Sequence, residues 1–214
     1  MNTRKYLVVY AHPVPGSFVL RLHDIVVAAL RSCKCEVDDC DLYQERFQPV
    51  LTREERLAYQ DTDRNARDVQ GYAERLRACN GLVFVYPTWN YGVPAILKGY
   101  IDRVWIPGVA FGLKNGRVVR KLTHIDRFAV VTTYGSPWWI DRFVLGDPNR
   151  TMMTRSIRRL LSPRAKAQWL AQYGMDDITE ERAKRFMEKV SRAITKLANN
   201  QLDPGSSPQN RRPG

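Results

Sequence analysis

Residues 81–105 read GLVFVYPTWNYGVPAILKGYIDRVW, and the break in the middle of this stretch decides the fold. Gly81–Tyr86 is a short, unbroken apolar run of the kind that suits a strand buried on both faces. PTWNYGVP (87–94) cannot extend that strand, because it offers too few alternating apolar positions. After it the pattern turns helical: Ile96, Leu97, Tyr100, Ile101 and Val104 share one face, and Lys98 and Asp102 form an i,i+4 pair. Pro94 is expected at the first helical position, where its missing N–H costs nothing. A loop rich in Trp, Asn and Tyr on such a rigid support can present an aromatic wall with fixed backbone donors to a flat heteroaromatic ligand. Trp89 and Tyr91 could equally plug the top of the core, and composition leaves both readings open.

The same alternation extends in both directions. Strands are expected at Tyr6–Ala11, Cys35–Tyr43 and Arg127–Thr133, with a weaker one at Lys166–Gly174. Between them, Phe18, Leu22, Ile25, Val26, Ala29 and Leu30 stand at helical spacing behind Ser17, a natural N-cap. A short helix is expected at 52–59 and longer ones at 65–79 and 180–197. In the last of these, Ala183, Phe186, Met187, Val190, Ile194 and Leu197 form one stripe. Strands alternating with helices predict an α/β fold: a doubly wound, five-stranded parallel sheet with helices on both faces. Residues 1–198 form one domain on this reading, and 199–214 (NQLDPGSSPQNRRPG from 200) are expected to be a disordered tail that cannot bury anything.

Composition narrows the class. No window approaches the roughly 18 uninterrupted apolar residues that a membrane span needs. Cys33, Cys35, Cys40 and Cys79 have neither a C-x-x-C nor a zinc spacing, and the three histidines lie far apart, so no metal site is expected. Four unpatterned thiols suit a reducing cytoplasm. The formal charge is +12, and seven basic residues against one acid fall between Arg142 and Lys166. That run reads as a solvated helix face or as a surface that attracts an anionic cofactor or acidic lipid. No nucleic-acid motif accompanies it, and none is expected as a partner.

Three loops leave the carboxyl ends of the expected strands with unusual composition: 12–17, 87–94 and 133–139. In doubly wound sheets ligands bind at that rim, where the strand order reverses. The first loop runs into a helix N-terminus, whose free N–H groups favour an anion, with a hydroxyl from Ser17 and close backbone approach at Gly16. A plain capped turn would look the same.

YGVPAILKGYIDRVW (91–105) resembles the "GVPAILKGW" region of the NAD(P)H:quinone oxidoreductases, with eight identical residues from Gly92 to Gly99. YAHPVPGSF (10–18) is similar to that family's first loop, and VVTTYGS (130–136) to its "TTGGS" turn. The resemblance implies a flavodoxin-like fold and a bound flavin. Its phosphate end would lie near His12, Ser17 and Phe18; Pro87, Thr88, Trp89, Asn90 and Tyr91 would run along the ring, and Thr133, Tyr134, Gly135 and Ser136 would face its other edge. Backbone donors there would stabilise the negative charge that two-electron reduction places on the ring. The implied activity is a cytoplasmic, homodimeric NAD(P)H dehydrogenase (quinone), in which NAD(P)H and then a quinone share one space in a ping-pong order, with the flavin rather than a side chain carrying the chemistry.

The chain departs from the family in three places. Val19 stands where the larger animal enzymes carry an Asn near the phosphates, which, with the short chain, favours FMN over FAD. Tyr134 replaces the first glycine of the turn. Ile140 and Gly146 fall where those enzymes manage protons with Tyr and His, so no catalytic side chain is assigned. PTWNYG is also similar to the loop of FMN azoreductases, which makes azo or nitro reduction one alternative. A flavoprotein regulatory subunit similar to those of potassium efflux systems, docking through the basic 142–166 region on a transporter or membrane surface, is another. A one-electron flavodoxin carrier fits least, because such carriers are acidic.

Overall fold

In chain order the computed structural model, which describes residues 3–199, runs β1 (Lys5–Tyr10), α1 (Phe18–Ser32), β2 (Glu36–Asp41), α2 (Arg53–Leu57), α3 (Gln70–Ala78), β3 (Gly81–Pro87) and α4 (Ala95–Val104). It continues through β4 (Phe111–Lys114), β5 (Arg117–Arg120), β6 (Arg127–Thr133), α5 (Pro148–Thr151), β7 (Lys166–Gln172) and α6 (Glu180–Asn199). Five strands pair in the order β2-β1-β3-β6-β7, every pair parallel. The expected tail lies outside the described residues, apart from Asn199, which ends α6.

The pleat sends alternate side chains of the central strands into two separate cores. Leu7, Val9, Leu82, Phe84, Phe128 and Val130 meet Leu76 of α3 and Leu97, Tyr100 and Val104 of α4. Tyr6, Val8, Val83, Val85, Ala129 and Val131 meet Leu22 and Val26 of α1 and Phe186, Val190 and Ile194 of α6. Burial of each large apolar side chain contributes about 1.5–3 kcal/mol, so the sandwich of helices around β1, β3 and β6 supplies a rigid frame for the loops at its rim.

α4, which carries the loop 88–94, is anchored on both sides. Gly99 lets it approach Pro49 so closely that an added Cβ would overlap that residue's carbonyl oxygen. Arg103 reaches from the same helix to the buried Glu55, Nε to Oε1 at 2.8 Å, and also donates to the carbonyl of Gln48. Glu55 in turn closes a capping box with Thr52 at the start of α2. The Lys98–Asp102 pair forms as expected, with Nζ 2.6 Å from Oδ1.

Three expectations change. Pro94 is the N-cap and not the first helical residue: its extended backbone (φ −54°, ψ 147°) ends the loop, and its carbonyl accepts from Lys98 N–H at 2.9 Å. The segment 65–79 divides into a 3₁₀ turn, Arg67–Val69, and the shorter α3. The antiparallel hairpin β4–β5 was not anticipated. Its signal is Asn115-Gly116, both at positive φ, between two four-residue runs. β5 is exposed throughout, so it carries no alternation of burial to read. The apolar residues of α4 are covered by the chain's own core, so this face of the helix leaves nothing for a partner to bury.

Candidate functional site

The strand order reverses between β1 and β3: from β1 the chain passes to β2 on one side and then to β3, β6 and β7 on the other. The loops after these strands therefore meet at a natural crevice. A cleft of about 430 Å³ opens there, lined by Thr88, Trp89, Asn90, Tyr91, Tyr134, Gly135 and Ser136. All seven are residues that the sequence singles out, brought together from two loops more than forty positions apart.

The first wall is a tight turn. Trp89 and Gly92 exchange backbone hydrogen bonds of 3.0 Å in both directions, which closes a two-residue loop. Both central residues, Asn90 (φ 47°) and Tyr91 (φ 61°), lie in the left-handed region, the pattern of a mirror-image type I′ turn. For a tyrosine that conformation costs on the order of 1 kcal/mol. The N–H groups of Asn90 and Tyr91 have no acceptor among the described residues. Trp89 and Tyr91 are half exposed, so two aromatic surfaces flank two unpartnered donors.

Beneath the turn lies a polar network that holds both loops. Thr88 N–H donates to Thr133 O at 2.7 Å, and the hydroxyls of Thr88 and Thr132 meet at 2.9 Å. Asn149 is the junction. Its Oδ1 accepts from the Tyr86 hydroxyl at 2.9 Å, and its Nδ2 donates to Thr88 Oγ1 at 2.9 Å and to the Tyr134 hydroxyl at 3.3 Å. Burial raises both phenols well above their ordinary pKa, so they stay neutral and available as hydrogen-bond groups. Asn149 was missed at the sequence level, and nothing in its surroundings there points to it.

The second wall is the turn after β6. Tyr134 stacks on Tyr173 with ring centroids 4.5 Å apart, and the Tyr134 side chain forms the buried floor of the cleft. The replacement of glycine at this position thus fills the interior from below. Ser136 Oγ donates to Asp141 Oδ2 at 2.5 Å. Burial pushes the Asp141 carboxyl above the ordinary carboxylate range, against the lowering effect of the Ser136 hydrogen bond, and the charge of Asp147 adds to the rise. A Cβ built on Gly135 would meet the Asp176 carboxylate at 3.2 Å, so bulk there grows towards Asp176. The cleft continues on this side past Pro137, Trp138, Tyr173 and Arg182. Trp138 takes part in that lining; Trp139 does not.

The other predicted residues stand next to the cleft without lining it. Pro87 and Thr133 are the paired, buried last residues of β3 and β6. His12 reaches the turn from the first loop, its ring centroid 6.0 Å from that of Trp89. Its Nδ1 accepts from Val14 N–H at 3.0 Å, and burial lowers its pKa. Ser17 caps α1, Oγ accepting from Leu20 N–H at 3.1 Å, and the Arg21 guanidinium lies over the Phe18 ring at 5.6 Å. Val19 points into the core.

A parallel sheet of this order with its cleft at the switch point defines the class of doubly wound ligand-binding α/β proteins. A family model described as flavodoxin-like fold matches residues 4–200, and the chain belongs to that family. It is similar to the uncharacterized NAD(P)H oxidoreductase YcaK of Escherichia coli, 36% identical over 113 residues that cover 52% of this chain and 58% of the relative. It is also similar to NAD(P)H dehydrogenase (quinone) 1 of Rattus norvegicus, 32% identical over 128 residues, 52% of this chain and 46% of the relative. The chain thus spans about half the length of the curated relatives it matches. Among solved structures, Smu.1420 of Streptococcus mutans superposes with a TM-score of 0.80 at 27% identity, over 90% of this chain and all of that one. An FMN-dependent NADH-azoreductase of Bacillus anthracis, solved in complex with FMN, shares the fold with a TM-score of 0.74 at 18% identity, over 92% of this chain and all of that one.

Proposed function

We propose that the protein is an FMN-dependent NAD(P)H:quinone oxidoreductase working at the cleft between residues 88–91 and 134–136. The observation that carries this reading is the pair of unpartnered N–H groups of Asn90 and Tyr91, held in a left-handed turn between two half-exposed aromatic rings. A turn that only had to connect β3 to α4 would gain nothing from that strain. A planar ring with acceptor atoms along one edge satisfies both donors and covers both aromatic faces.

The residues present fit a flavin. Unpartnered backbone donors at the cleft wall match an isoalloxazine edge, and the start of α1 beyond His12 offers unpaired N–H groups to a phosphate. Val19, buried at 4% exposure, gives no side-chain donor for a second phosphate, which favours FMN over FAD. A bound flavin would supply the two-electron chemistry, accepting a pair from NAD(P)H and passing it to the acceptor. The protein's part is to bind and orient. Asn149 fixes Thr88 and Tyr134 relative to each other, and the Trp89–Gly92 closure fixes the two donors. Asp141 holds the Ser136 hydroxyl in place, its Oδ2 accepting the hydrogen bond that the hydroxyl donates. On this reading the nicotinamide and the acceptor occupy in turn the open side past Trp138 and Tyr173, in a ping-pong order. The four cysteines are all free, in keeping with a cytoplasmic protein, and two copies are expected to assemble as a homodimer.

Steady-state turnover with NADPH or NADH tests this reading, using a short-chain quinone and an azo dye as competing acceptors. The expected result is FMN-dependent oxidation of NAD(P)H with the quinone preferred, and parallel lines in double-reciprocal plots. Preference for the dye would move the substrate class to azo compounds. Reduction by NAD(P)H without turnover on any acceptor would favour the regulatory reading.

A further inference from the structure

At the far end of the sheet from the cleft, a second concave surface collects arginines. Two adjoining grooves, about 860 and 420 Å³, are lined by Arg117, Arg120, Arg155, Arg158 and Arg159 together with Thr123, Thr154 and Ser162. Among the described residues, no carboxylate contributes to either lining. Their location is fixed by backbone hydrogen bonds that lead into the amino ends of β6 and β7: Ser162 N–H to Ile125 O at 3.1 Å and Lys166 N–H to Asp126 O at 3.0 Å. β6 spans about 20 Å at the usual strand rise, so the grooves and the cleft are separated by the length of the sheet.

Two of the five arginines are held by carbonyl oxygens and three are left for a ligand. Arg120 Nε donates to Arg159 O at 2.6 Å, tying the hairpin to the segment 152–163, and Arg158 donates to Ala165 O at 3.0 Å. Arg117, Arg155 and Arg159 have no acceptor for their guanidinium groups among the described residues. Five guanidinium groups around two adjoining grooves repel one another. That repulsion is relieved by a compact anion with several oxygens, which guanidinium forks bind bidentately.

We propose that the grooves between β5 and residues 152–163 form a binding site for a soluble, multiply charged phosphate anion such as an inorganic or nucleoside polyphosphate. The site does not overlap the cleft. Its concavity favours a compact soluble anion over the headgroups of a flat bilayer.

The test uses inorganic tripolyphosphate as the probe, titrated calorimetrically into the full chain at low and physiological salt, with an R155A/R159A variant. A second double variant, R53A/R67A, removes the same charge from two exposed positions elsewhere and controls for diffuse attraction. The expected result is saturable 1:1 binding, weakened about tenfold or more in R155A/R159A and by less than about threefold in R53A/R67A. Thermal unfolding of each variant, with and without probe, separates loss of the site from loss of the fold: an intact variant keeps its transition but loses the upward shift with tripolyphosphate. Equal weakening in both double variants, or no saturation, would overturn the proposal. So would groove-dependent binding to phosphatidylserine vesicles without binding of tripolyphosphate, which would assign the arginines to a lipid surface.

Discussion

Trp89 and Gly92 bond to each other through both backbone groups, 3.0 Å in each direction, and this closure holds Asn90 and Tyr91 at positive φ with their N–H groups unpartnered. The donors have no acceptor among the described residues, so a ligand that accepts from them gains the hydrogen bonds without displacing an internal partner there.

The conformation at Tyr91 gives a direct prediction. Tyr91→Ile places a β-branched side chain at φ 61° and should lower stability by about 1–2 kcal/mol. Tyr91→Gly, which accepts that φ without strain, should change stability by less than about 1 kcal/mol. Both remove the aromatic face, so both should weaken flavin binding. Urea unfolding of the two variants checks the first claim, and equal stabilities would refute the strain at this position.

Asn149 supports the cleft from beneath. Asn149→Ala deprives the buried Tyr86 hydroxyl of its acceptor and Thr88 and Tyr134 of a donor, so we expect a loss of about 2–3 kcal/mol in unfolding free energy. Flavin affinity should fall as well, because Thr88 leads directly into the donor turn. A variant with unchanged stability would mean that water replaces the amide.

Asp141 links pH to the second wall. Burial raises its carboxyl above the usual value of 3.8, so the folded state prefers the protonated form. The stability it contributes is complete below that usual value and is lost as pH rises through the raised folded value. Asp141→Asn has no such loss. The variant's stability relative to the parent should therefore increase from about pH 4 to pH 7, as measured by denaturant unfolding at several pH values. A difference independent of pH would show that burial does not raise the Asp141 carboxyl.

Much of this was legible in the sequence, for identifiable reasons. β3 and β6 are buried at every position, and a strand with no solvent-facing side leaves an apolar run, Leu82–Tyr86 in one and Phe128–Val131 in the other, that composition reveals. The cleft residues 88–91 and 134–136 were legible because they interrupt those runs at their carboxyl ends. Asn149 was not, since its partners Tyr86 and Thr88 lie 63 and 61 positions away and only the fold brings them together. Asp141 was hidden in the same way: it sits in a π-helical segment whose neighbours Trp139, Phe143 and Val144 are exposed apolar residues, so no period marks it as buried. Pro94 could be assigned to the start of α4 but not to its exact place, because its fixed φ and missing N–H suit the N-cap and the first helical position equally.

The central claim is that the turn 88–91 and the turn 134–136 together hold a flavin. Titration of FMN into flavin-free protein, followed by quenching of flavin fluorescence, tests it most directly. The account predicts one site per chain with a dissociation constant below about 1 µM, weakened by Asn149→Ala and by either change at Tyr91. Fluorescence that stays unquenched at protein concentrations far above that value, or binding untouched by these substitutions, would contradict it.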